Sequence, residues 1–169
     1  MTISNFDLVM LAQRHGVPLT LGNIVSRDEL THVRHTGDMN IVINLAPSRA
    51  RNGTHWVGLA VRGRIALYFD SFGIRPDLFV RAWCKRHGLH LAANSFIVQD
   101  RLHSTECGRY VVAFFRWLSA GKLSYGRATY DTRLRAIELA NDFVNRFVPE
   151  RRANDAVLDE LIGRDEFAD

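Results

Sequence analysis

His55-Trp-Val-Gly-Leu-Ala-Val-Arg-Gly-Arg-Ile-Ala-Leu-Tyr-Phe-Asp70 is the stretch on which the fold turns. Two apolar runs of strand length, Thr54 to Val61 and Arg64 to Asp70, are separated only by Arg62-Gly63, which reads as a β-hairpin with a two-residue loop. In that register Val61 faces Arg64 and His55 lies directly opposite Asp70. Directly opposed side chains share a face with Cβ atoms about 4.5 to 5.5 Å apart, within reach of an imidazole N–H for a carboxylate. The hairpin thus carries an acid and an imidazole together.

Outward from the hairpin, the chain alternates helical and strand patterns. Toward the N-terminus, Ser4 or Asn5 caps a helix with Phe6, Val9, Met10 and Gln13 at helical spacing, and Gly16 ends it. Ser26 with Glu29 is a capping-box pattern for a short second helix, and Asn40 to Leu45 reads as a strand. The loop 46–53 is rich in turn formers. Toward the C-terminus, Ile74 to Asp77 starts a helix with Pro76 near its first turn, a stripe of Leu78, Phe79, Ala82 and Trp83, and Gly88 as its stop. Phe96-Ile97-Val98 reads as a short buried strand. Ser104 or Thr105 caps a helix running from about Glu106 to Gly121, apolar around most of its circumference and therefore central and buried. Asp131 or Thr132 opens another, with Leu134, Ile137, Ala140, Val144 and Phe147 in step until Pro149. Residues 156–162 form a small amphipathic helix in an acidic tail. The pattern predicts an α+β fold in which a central mixed sheet packs against the buried helix.

The 169 residues suit one domain, and 47% apolar, 10% aromatic and 24% charged residues exclude disordered and low-complexity classes. No run approaches the ~18 consecutive apolar residues of a membrane span. The first residues lack a signal-peptide layout, so a non-exported chain with reduced thiols is expected. Charge is uneven. Residues 154–169 hold six acids against Arg164, net −5, leaving residues 1–153 at +9 with arginine as nearly every base. Such a body attracts polyanions through a salt-sensitive field, or is simply a solvated, arginine-rich surface.

Cys107 falls in the first turn of the buried helix, where unpaired backbone N–H groups and the positive end of the helix dipole favour a thiolate. A thiolate nucleophile needs a histidine as proton carrier and a carboxylate to orient that histidine, roles open to His55 and Asp70. Gln99, with the backbone N–H of Cys107, can donate to the oxyanion formed when sulfur attacks a carbonyl. On spacing alone, a buried structural cysteine and a strand-end histidine look the same. Cys84, beside Trp83 in a helix, reads as a buried filler. Cys84, His87 and His90 suggest zinc, but Gly88 interrupts their helix and no second ligand pair matches, so no metal is expected. His103 is an alternative base should the register differ. Asp77 and Glu106 read as helix N-terminal charges.

Gly53-Thr-His-Trp-Val-Gly-Leu-Ala60, Tyr68-Phe-Asp-Ser-Phe-Gly73 and Ser104-Thr-Glu-Cys-Gly-Arg-Tyr110 resemble, in order, the three catalytic blocks of the adenovirus-type (adenain-like) cysteine proteases of adenoviruses and virus-like DNA transposons. Thr2 to Leu30 is similar to that family's N-terminal helix and loop. The resemblance spans about residues 2–118. It implies the adenain-like, papain-related fold, Cys107 as nucleophile, His55 as base, Asp70 as orienter, Gln99 at the oxyanion hole and Trp56 as a wall beside the histidine. It further implies a protease domain over 1–150, with 151–169 as an acidic tail.

The implied activity is a viral or virus-like maturation endopeptidase cutting capsid or core precursors through a thioester, within a virion or a host nucleus or cytoplasm. A ubiquitin-like or SUMO-type deconjugating isopeptidase of the same clan is one alternative. An inactive, arginine-rich nucleic-acid-associated protein is the other. No cofactor is needed for the chemistry, while DNA and a non-covalent peptide are the activators the resemblance allows. Two departures stand out. Gln99 lies eight residues before Cys107 where the family has six or seven. Leu89 to Ala93 also lacks the cysteine that captures a peptide cofactor by disulfide.

Overall fold

A computed structural model describes residues 3–50, 55–120 and 130–163. The loop residues 51–54 and the expected helix stop at Gly121 lie outside them. The elements run α1 (Asn5–Arg14), β1 (Ile24–Ser26), a 3-10 turn (Glu29–His32), β2 (Met39–Asn44), β3 (Trp56–Arg62), β4 (Ile65–Phe69), α2 (Leu78–Arg86), β5 (His90–Ala93), α3 (Cys107–Ala120), α4 (Tyr130–Val144) and α5 (Asn154–Ile162). Local chemistry fixes the helix starts. Ser4 and Asp7 form a capping box on α1, and the Asp77 carboxylate accepts the Val80 N–H at the start of α2.

The sheet is mixed, with strands in chain order. β2, β3 and β4 are antiparallel neighbours, while β1 and β5 join the two edges in parallel. Because side chains alternate along a strand, each face takes its own core. Val57, Leu59, Val61, Ala66 and Tyr68 pack on one side with Ile41, Ile43, Val80 and Trp83 of α2. Trp56, Ala60, Ile65, Leu67 and Phe69 pack on the other with Val111, Phe114, Phe115 and Phe143 of α3 and α4. A fully buried side chain of this kind contributes about 1.5 to 3 kcal/mol. The sheet therefore holds α3 across its middle, as the expected α+β arrangement requires. Close approach depends on Gly58, where a Cβ would sit 2.9 Å from Val111 Cγ1 and 3.1 Å from the Phe115 ring.

Three expectations change. Arg62 pairs with Ile65, so the two loop residues are Gly63 and Arg64, and the whole register moves two positions. Gly63 takes the left-handed conformation at φ +58°, and Arg62 stays in the strand because its buried guanidinium donates to Met39 O, Val61 O and Asn40 Oδ1. Phe96 to Val98 is not a strand. Its place at the sheet edge is taken by His90–Ala93, a half-exposed segment with no β-branched residue, while Val98 N and Gln99 N donate to Ser71 O. Residues 154–162 also do not stand apart as a tail. Leu158 and Ile162 of α5 are buried in the core beside α3.

Candidate active site

The open end of the hairpin and the start of α3 meet. His55 lies one residue before β3, Asp70 one residue after β4, and Cys107 is the first residue of α3. The displaced register makes His55 and Asp70 diagonal neighbours. A two-position shift keeps both on the same face, so the acid still reaches, and His55 Nε2–H donates to Asp70 Oδ1 at 2.8 Å. Carried two residues further, the same register sets His55 against Phe72. Their rings stack with centroids 4.2 Å apart and planes at 13°.

Asp70 is fully buried. The Oδ1 that takes the imidazole also accepts the Phe72 N–H at 2.7 Å, and Asn94 brackets its backbone, accepting from Asp70 N at 2.8 Å and donating to Asp70 O at 2.7 Å. A turn at Gly73, φ +65°, brings this segment against the Phe96 carbonyl with no room for a Cβ. His55 and Cys107 are nearly closed to solvent, at 7% and 8% exposure. Burial alone pushes the imidazole pKa down. The Asp70 hydrogen bond, the Cys107 sulfur and the charges of both outweigh it and raise the pKa to about 9. The sulfur acts at close range, although no well-aligned hydrogen bond joins it to Nδ1 in this resting arrangement. His55 is thus held largely as an imidazolium at neutral pH between the Asp70 carboxylate and the Cys107 sulfur, the charge state needed to steady a thiolate and later protonate a leaving group.

Gln99 is buried at the same end, with its amide committed. Oε1 accepts from Ser71 Oγ at 2.6 Å, and Nε2 donates to Ser104 O at 3.0 Å and Ser104 Oγ at 3.2 Å. The extra length before Cys107 is taken up by a turn on Asp100, which accepts from Leu102 N and pairs with His103. That turn throws Leu102 out to 86% exposure and leaves His103 on the surface, so His103 is not a base here. Trp56 is buried beneath the start of α3, its indole N–H on Ile3 O and its ring beside Gly108, rather than presenting a broad face to solvent. Cys84 is sealed in the opposite core layer, where burial pushes its thiol up to about 11.

The structure brings together the sequence candidates Cys107, His55 and Asp70, and adds Phe72, Ser71 and Asn94, to which the sequence reading assigned no role. Phe72 and Ser71 were readable in principle, because they sit within the Tyr68–Gly73 block. Asn94 carries no local signal.

No protein-family model matches the chain. No curated relative matches it either. Among solved structures it is similar to the pS273R protease of ASFV, at 18% identity and TM-score 0.47, covering 80% of this chain and 66% of that one, just under two thirds. It is also similar to AvrA delL154 solved with IP6 and CoA, at 13% identity and TM-score 0.47, covering 87% and 74%. Both resemblances are of fold.

Proposed function

We propose that this chain is a cysteine endopeptidase of the maturation type, cutting protein precursors of a viral or virus-like capsid or core. The observation that carries the reading is the buried His55 imidazole, fixed at 2.8 Å on Asp70, with its pKa raised by that carboxylate and by the Cys107 sulfur at the head of α3. The three motif blocks that resemble adenain-like proteases support it. In the proposed reaction, the Cys107 sulfur attacks the scissile carbonyl, and the C–N bond breaks as His55 gives its proton to the departing amine. Water, deprotonated by His55, then hydrolyses the thioester and frees the thiol. The +9 charge of residues 1–153 further supports DNA as a partner that concentrates the enzyme on packaged substrates.

Two measurements test this. Mass spectrometry of a candidate capsid precursor should show discrete cuts with the wild type and none with Cys107→Ala. Iodoacetamide should modify Cys107 well before Cys84, and His55→Ala should remove that preference. Equally slow labelling of the two cysteines would refute the enzyme reading. Release of a Gly-Gly-linked ubiquitin-like protein, with linear precursors untouched, would transfer the site to the isopeptidase class.

A further inference from the structure

The first turn of α5 grips both ends of the loop that leads from Gln99 to the nucleophile. Asn154, fully buried, donates from Nδ2 to Val98 O at 2.8 Å, just before Gln99. Asp155 Oδ1 accepts from Ser104 Oγ at 3.0 Å, three residues before Cys107, and from Tyr110 Oη at 2.9 Å inside α3. Further along, the buried Arg109 of α3 donates to Asp159 at 2.8 Å and to Gly163 O, so the helix cannot slide away.

The direction of the hydrogen bonds gives this contact a chemical consequence. A carboxylate only accepts, so Asp155 draws the single hydroxyl hydrogen of Ser104 toward itself. The lone pairs of Ser104 Oγ are left facing Gln99 Nε2, at 3.2 Å, and Glu106 N, at 3.4 Å. At the other end, Ser71 Oγ–H donates to Gln99 Oε1 at 2.6 Å. Ser71, Gln99, Ser104 and Asp155 therefore form one chain of bonds all pointing toward Asp155, and members of such a chain polarise one another. Its effect is to hold the Gln99 carboxamide with nitrogen toward the residues preceding Cys107 and oxygen away. Both contacts of Nε2 are with Ser104, three residues before Cys107, so fixing Ser104 fixes the direction of the amide.

We propose that Asp155 is a positioning residue, acting through Ser104 to orient the Gln99 amide as an oxyanion donor. The proposal rests on the reading of Cys107 as an acyl-accepting nucleophile, and its test separates the two. In the full-length chain, acylation of Cys107 by p-nitrophenyl acetate is followed by nitrophenolate release and passes through an oxyanion. Alkylation by iodoacetamide displaces iodide without one. Asp155→Ala and Ser104→Ala should each slow acylation by about tenfold, a fraction of the ~100-fold or greater loss on deleting an oxyanion donor outright, while alkylation of Cys107 stays within about twofold. Asp155→Asn keeps an acceptor oxygen and should retain most of the rate. Tyr110→Phe, which removes the other bond to Asp155, should leave both rates unchanged.

Unchanged acylation in folded Asp155→Ala overturns the proposal, as does a parallel fall in acylation and alkylation, which would make α5 a structural support only. If Asp155→Ala does not fold, Ser104→Ala decides by the same criteria. A wild type that is neither acylated nor preferentially alkylated at Cys107 instead refutes the nucleophile reading itself.

Discussion

His55 is constrained on three sides: Asp70 on Nε2, the Cys107 sulfur close by and Phe72 across the ring face. The raised pKa carries a signed consequence. Below about pH 6.5 the imidazole is charged both folded and unfolded, and the native pairing contributes its full stabilisation. That contribution is lost as pH rises toward 9. The denaturation midpoint should therefore fall between pH 6.5 and 9.5, and less so in His55→Gln, as a urea series at both pH values would show. Phe72→Ala removes a stack worth about 0.5 to 1.5 kcal/mol and frees the ring to rotate. Its expected result is a drop in Cys107 alkylation of several-fold, together with a loss of about 0.5 to 1.5 kcal/mol in urea unfolding. The meeting of His55, Asp70 and Cys107 was legible because a hairpin and a helix start are local patterns that bring side chains to known ends. Phe72, Asn94 and Ser104 act across loops without period, and nothing in their spacing announces a partner.

Among the elements, the hairpin shows what a pattern fixes and what it leaves free. Alternation in His55–Asp70 determined which side chains share a face, and that survived. The place of the loop depended on one arginine being buried or exposed, and the contacts of Arg62 with β2 lie far away in sequence. β5 was missed for a related reason: a half-exposed His-Leu-Ala-Ala owes its strand state to β4 beside it rather than to its own preference. The seat of α3 offers a direct test. Gly58→Ala drives a methyl into Val111 and Phe115 and should cost about 1 to 3 kcal/mol in urea unfolding. Because it lifts α3 from β3, it should also slow Cys107 alkylation, whereas Gly16→Ala, which strains only a surface turn, should not.

For the molecule as a whole, length suited one domain and the pattern of elements an α+β fold, while the acids of the last segment marked it as a tail without saying where it lies. The acids that make residues 154–169 look like a tail are partly consumed in holding the core together, Asp155 on Ser104 and Tyr110, and Asp159 on Arg109. Truncation after Glu150 removes the burial of Leu158 and Ile162, each worth about 1.5 to 3 kcal/mol, and should lower the thermal midpoint sharply. The seating of α5 also bears on how the molecule is made. In synthesis from the N-terminus, His55, Asp70 and Cys107 are all polymerised before Asn154 and Asp155. The loop between Gln99 and Cys107 thus takes its final shape only after α5 has been made and docked, later than every element that carries those three side chains.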